Sequence, residues 1–286
     1  MDLDSFNSNK EANDLLRKIY KEKNYLIIQN NNNSRICYVF FSSNGLYSTR
    51  TSLEAINEMW INERFEWKTV SSNKKIMKNA GKMIFVRDIY KAFYVNGINE
   101  NINSIDKLLE FIKAETKGFD CILVGSSAGS YMAFLFAGYM SNVKRVIGAG
   151  GIVELSTLED FTTVYKNVVK LTKYPVVNKA NRFAYYINFY GAYNKYDLPN
   201  DIALKNIVNE DRLLDIGYNS DKHGARPDYY NLVKILFCKD EHIKYLITKK
   251  NLINSNDLLT SFNLNFFEKF KRFTGNIVKR IKERLK

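Results

Sequence analysis

The chain has 286 residues, 45% of them hydrophobic and 14% aromatic, and carries a formal net charge of +13. That apolar content is enough for a large buried core, either one α/β domain of ordinary size or a domain with an appendage, and it excludes a disordered chain. Three widely separated cysteines, Cys37, Cys121 and Cys238, lie in apolar runs. This predicts free thiols in a reducing compartment and excludes a disulfide framework or a zinc site.

The opening stretch MDLDSFNSNKEANDLLRK has neither a basic n-region nor an apolar h-region, which predicts no secretory signal. The longest uncharged apolar run, Ala128 to Met140, is too short to span a bilayer. The expected location is cytoplasmic. YLIIQ and RICYVFF read as strands joined by a hairpin loop, NNNNS, and FFSSNG leaves the second of them. After a polar, aromatic-rich segment, KMIFVRD reads as a third strand. INSIDKLLEFIKAET then predicts a helix, with Ser104 as its N-cap and Ile105, Leu108, Leu109 and Ile112 on one face. DCILVG, a helix from Ser127 to about Met140, and KRVIGAGG complete a β-α-β-α-β order, which implies a mostly parallel sheet with helices on both faces. Residues 151–182 read as an irregular or helical, cap-like insertion. FAYYINFYG and LLDIGYN supply two late strands, with the helix DIALKNIV between them. The expected organisation is a catalytic domain over residues 1–250 and a helical basic tail over 251–286.

The stretch DCILVGSSAGSYMAFLFAGYM, residues 120–140, places Gly125, Ser126, Ser127, Ala128 and Gly129 between a strand and a helix with no charge and no proline. A surface turn in this asparagine-rich chain would be polar. G-x-S-x-G in this context predicts a nucleophile elbow that displays Ser127 on a strained turn, its flanking glycines letting helix and strand approach closely. The same residues also fit a plain glycine-rich βα turn, since Gly and Ser are common there.

A serine nucleophile needs a base, and the chain has two histidines. His242, in CKDEHIKYLITKK, sits in a charged helical pattern and reads as a surface residue. His223, in YNSDKHGARPDYY, follows the last predicted strand, where α/β folds place their chemistry. The order serine, acid, histidine is that of the α/β-hydrolase fold. Between β-like segments, Asp197 and Asp201 are the available acids. A helix N-cap role accounts for Asp201, which leaves Asp197 as the candidate that orients His223. Asp215 and Asp221 lie too close to His223 in sequence. An oxyanion hole is expected from the Ala128 amide and from Ser43 or Asn44 after the second strand, although Asn44–Gly45 is also a strong turn pair. Trp60, Trp67, Phe93 and Tyr94 have faces that can stack on sugar rings, with core packing as their default role.

Residues 265–286 carry eight basic and two acidic side chains, with Phe266, Phe270, Phe273, Ile277, Ile281 and Leu285 on one helical face. Such a helix either lies on an anionic membrane surface or packs its Phe face on the protein. No nucleic-acid motif accompanies the charge, so no nucleic-acid partner is expected.

FVRDIYKAFYVNGINENINSIDKLLEFI, ILVGSSAGSYMAFLFAG and SDKHG together resemble α/β-hydrolase-fold proteins of bacterial capsule and surface-polysaccharide loci, among them capsular polysaccharide O-acetyltransferases. The resemblance spans roughly residues 36–235. It implies Ser127, Asp197 and His223 as the triad, acetyl-CoA as co-substrate, no metal, and a polysaccharide or oligosaccharide acceptor. An esterase with the same triad, or a catalytically silent scaffold of the same fold, are the alternatives. The extra basic tail departs from that family and adds the expectation of peripheral attachment to the inner face of the membrane.

Overall fold

The computed structural model describes residues 10–44, 53, 56–57, 63–155, 177–224 and 229–249. The basic tail 265–286, Trp60 and most of the 151–182 insertion lie outside these. The chain divides into two compact units, Met1–Arg226 and Pro227–Lys286.

In the first unit, seven strands form one sheet: β1 (Tyr25–Gln29), β2 (Ile36–Phe41), β3 (Lys82–Val86), β4 (Asp120–Ser126), β5 (Val143–Ala149), β6 (Tyr185–Gly191) and β7 (Leu213–Tyr218), in the order β1-β3-β2-β4-β5-β6-β7. All neighbours are parallel except β1 and β3. The expected hairpin between β1 and β2 is therefore wrong. β3 inserts between them, pairing antiparallel with β1 and parallel with β2. The asparagine run marks a turn, but a turn does not decide which strands pair.

The strands read as continuous apolar runs because both sheet faces are covered. Residues Cys121–Ser126 of β4 and Cys37–Phe41 of β2 are all buried. The helices are α1 (Lys10–Tyr20), α2 (Lys74–Asn79), α3 (Ile105–Glu115), α4 (Ala128–Ala137) and α5 (Asp197–Ile207) in the first unit, and α6 (Tyr229–Phe237) and α7 (Asp240–Lys249) in the second. α1 is amphipathic, burying Ala12, Leu16 and Ile19 on one stripe. α3 starts as expected, with Ser104 Oγ accepting the Lys107 amide at 3.1 Å. α4 is buried on every side, which is why its sequence, AGSYMAFLFA, carries no charge.

The three cysteines are free. Cys37 and Cys121 are buried opposite one another on β2 and β4, and Cys238 is half-buried. Trp67, Phe93 and Tyr94 are buried in the core. Among the described residues no helix is long and apolar enough to cross a membrane.

The register brings the carboxyl ends of the central strands level. Phe41 pairs with Gly125, Ser126 with Ala149, Ala149 with Phe189 and Gly191 with Tyr218. The chain steps one way from β2 to β3 and then crosses back over β2 to β4. The reversal falls between β2 and β4, and in open α/β sheets ligands bind at the carboxyl ends of the strands flanking such a point.

Candidate active site

Ser127 stands at the turn from β4 into α4 with φ 50° and ψ −117°, a left-handed conformation that L-residues rarely adopt. Small neighbours are required there. A Cβ on Gly125 would lie 2.1 Å from the Gly129 carbonyl oxygen, and one on Gly129 would lie 2.2 Å from the Phe41 carbonyl oxygen. The two outer positions of G-x-S-x-G therefore let α4 sit against the ends of β4 and β2, and only the middle side chain is displayed. The Ser127 amide donates to the Ala149 carbonyl at 2.7 Å, fixing the turn to β5. Ser126 is buried.

Ser127, His223 and Asp197 come together. With the proton assigned to Nδ1, His223 donates to Asp197 Oδ1 at 2.5 Å, and its Nε2 accepts from Ser127 Oγ at 2.8 Å. The Asp197 side chain is fully buried and that of His223 is 22% exposed, so the acid is shielded while the imidazole edge reaches solvent. Asp197 Oδ2 accepts two further bonds, from the Gly191 and Gly224 amides, each at 2.9 Å. The carboxylate thus has one oxygen for the imidazole and one for the backbone. It also occupies the first turn of α5, where the helix dipole favours negative charge.

Asp201 does not cap this helix. α5 begins one turn earlier than expected, so Asp201 lies in its second turn, fully buried. It accepts from Asn188 Nδ2 at 2.9 Å and pairs at 2.7 Å with Lys205, which also reaches Asp215 at 2.8 Å. Burial pushes its carboxyl above the usual range, against the pull of Lys205 and Asn188. The network ties α5 to β6 and β7.

Several positioning residues are not evident from the sequence. Asn194 Oδ1 accepts from the Tyr196 and Asp197 amides, capping the turn into α5, while its Nδ2 donates to the Asp221 carbonyl at 2.7 Å. One side chain therefore joins the loop of the acid to the loop of the histidine. Gly191 is needed because a Cβ there would lie 2.5 Å from the Lys222 carbonyl oxygen. Gly150, at φ 61°, lets the end of β5 pass the histidine loop, since its Cβ would meet Gly224 Cα at 2.7 Å and His223 Cε1 at 3.0 Å. The second histidine, His242, is on α7 in the second unit. It is half-buried, and burial lowers its pKa.

Ala128 is the first residue of α4, and first-turn amides have no acceptor within their helix. On the β2 side, the Ser42 amide extends the sheet by donating to the Val86 carbonyl at 3.0 Å. The Ser43 amide donates to Glu66 Oε2. Asn44 follows, half-buried. Among the described residues no cluster of His, Cys, Asp and Glu is disposed to hold a metal ion.

The strand order with its single antiparallel outer strand, the elbow after β4, the acid after β6 and the histidine after β7 define an α/β-hydrolase fold. No protein-family model matches the sequence, and no curated protein does. Among solved structures, MenH from S. aureus is 10% identical over 76% of this chain and 97% of its own, with a TM-score of 0.44. Acyl-protein thioesterase 2 of Zea mays is 13% identical over 76% and 98%, with a TM-score of 0.44. MGS-M2, an α/β-hydrolase enzyme from a Medee basin deep-sea metagenome library, is 10% identical over 74% and 93%, with a TM-score of 0.43. The fold assignment rests on topology and on the elbow, not on these likenesses.

Proposed function

We propose that this chain is a serine-dependent acyl-transfer enzyme that passes an acetyl group from acetyl-CoA to a hydroxyl of a bacterial surface or capsular polysaccharide. The observation that carries the acyl chemistry is the contact of Ser127 Oγ with His223 Nε2 at 2.8 Å, backed by buried Asp197. The acceptor and the donor come from the resemblance of the elbow and the His-Gly segment to polysaccharide O-acetyltransferases.

In the proposed cycle Ser127 Oγ attacks the thioester carbonyl as His223 Nε2 takes its proton. The oxyanion accepts from the Ala128 amide and from an amide after β2, with Ser43 or Asn44 as the source. Collapse breaks the carbon–sulfur bond, and the proton on His223 passes to the departing thiolate. A sugar hydroxyl then gives its proton to His223 and attacks the acyl-enzyme. Its collapse frees the acetylated sugar and returns the proton to Ser127. Asp197 holds the imidazole in the tautomer that both half-reactions use. Water in place of the sugar turns the same cycle into ester hydrolysis, so the triad is common to both activities.

Purified protein incubated with acetyl-CoA, with and without a capsule-type oligosaccharide, separates these outcomes. Acceptor-dependent release of coenzyme A is expected. Turnover of simple aryl esters with no use of acetyl-CoA would replace the transferase reading by an esterase. Inertness to both would leave a silent scaffold.

The tail adds a second expectation. Its eight basic side chains each contribute on the order of 1 kcal/mol near an anionic surface. Truncation after Leu264 is expected to abolish sedimentation with anionic vesicles while turnover of a soluble acceptor persists. Unfolding on truncation, with no vesicle binding by the full chain, would make the segment a packed structural element instead.

A further inference from the structure

The amide of Ser43 is already engaged, and by a charged group of the chain itself. Phe41 and Gly125 are paired in register, so Ser43 and Ser127 each lie two residues beyond that pair, on strand ends about 5 Å apart. Ser43 is therefore on the side of the elbow from which the second oxyanion donor of this fold is drawn. Its N–H donates to the carboxylate of Glu66.

The segment carrying Glu66 is pinned to the same strand ends. Trp67 adopts a left-handed φ of 69°, is buried, and its ring N–H donates to the Phe41 carbonyl at 3.2 Å. Arg87, just past β3, donates from a guanidinium nitrogen to the Arg64 carbonyl at 3.0 Å and stacks on the Phe65 ring at 4.6 Å. With residues on both sides held, Glu66 projects over the end of β2. A carboxylate on an amide makes a charge-assisted bond, stronger than a neutral one.

We infer that Glu66 is a reactivity-determining residue of this site, its carboxylate holding the Ser43 amide that an oxyanion needs and having to leave before acyl transfer can proceed. This rests on the acyl-transfer reading above. An oxyanion and a carboxylate cannot share one N–H, and their like charges repel at that range. Only molecules with Glu66 displaced are fully competent, so the apparent rate scales with that fraction. Its ceiling is the worth of one oxyanion donor, about 10²–10³ in rate.

The test is the rate at which a fluorophosphonate probe labels Ser127, because its phosphoryl oxygen enters the same pair of donors. Wild type, Glu66→Gln, Glu66→Ala and a Ser127→Ala control are compared, with folding checked by circular dichroism. Glu66→Ala is expected to label about tenfold faster or more, within the ceiling above. Glu66→Gln falls between, since an amide oxygen still accepts the N–H but carries no charge. If the alanine variant does not fold, the glutamine variant decides alone. Equal or slower labelling by folded variants would overturn the role of Glu66 and leave the serine assignment standing. Failure of Ser127 to label in any variant would instead overturn the acyl-transfer reading, and the inference with it.

Discussion

Replacing Ser127 with alanine is expected to lower acyl turnover by roughly 10⁴–10⁶-fold without disturbing the fold, the range seen when a triad serine is removed. Among the described residues the Ser127 Oγ makes one hydrogen bond, to His223 Nε2. The elbow is held by other atoms, namely the Ser127 amide on the Ala149 carbonyl and the two glycines packed against backbone. Stability therefore has little to lose from the change. Ser126→Ala is the control. Its side chain is buried beside the displayed one, and its backbone pairs with Ala149 in the sheet, so its effect on turnover should be small. Equal losses at both positions, with folding unchanged, would show that the turn displays no nucleophile.

The second large effect is expected at the acid. Asp197→Asn should cost about 10⁴ in turnover, because an amide facing Nδ1 no longer selects the tautomer with its proton there. The asparagine keeps one oxygen for the Gly191 and Gly224 amides, so the loops should hold and the denaturation midpoint should change little. Asp201→Asn should show the reverse pattern. It weakens the tie through Asn188 and Lys205 that docks α5, lowering the midpoint while folded molecules keep most of their turnover. Lys205 is 41% exposed and retains Asp215, so the loss should be well below the 3–5 kcal/mol typical of breaking a fully buried pair. Kinetics and urea denaturation on the two variants check this. If Asp201→Asn is the inactivating change, the relay through Asp197 is misassigned.

Where the physics is local, the sequence was readable. KMIFVRD, DCILVG and FAYYINFYG mark strands almost to the residue, because a sheet covered on both faces needs unbroken apolar runs of that length, and YLIIQ marks the half-buried outer strand β1. G-x-S-x-G marks the elbow because the clashes a Cβ would cause at Gly125 and Gly129 involve segments close in sequence or in register. His223 was reachable by placing it after the last strand. The pairing of β1 with β3 was not, since strand order depends on contacts made far along the chain. The start of α5 differs from the one expected for DIALKNIV although the sequence carries a signal for it. Pro199 sits in the first turn of that helix, where proline is tolerated, and it marks a start near Asp197 rather than at Asp201. Asn194, Gly150 and Gly191 acquire meaning only when the acid and histidine loops meet, 26 residues apart at the Asp197–His223 contact. Glu66 has no periodic or motif signal. Its significance lies in Trp67 and Arg87 clamping its neighbours to the ends of β2 and β3.

The most direct measurement of the central claim is intact-protein and peptide mass spectrometry after brief incubation with acetyl-CoA in the absence of acceptor. An added acetyl group is predicted on the peptide containing Ser127, lost on adding the oligosaccharide acceptor and missing in Ser127→Ala. Folded wild-type protein that gains no acyl group at Ser127, from acetyl-CoA or from an activated aryl ester, would contradict the assignment of Ser127 as the acyl-accepting nucleophile.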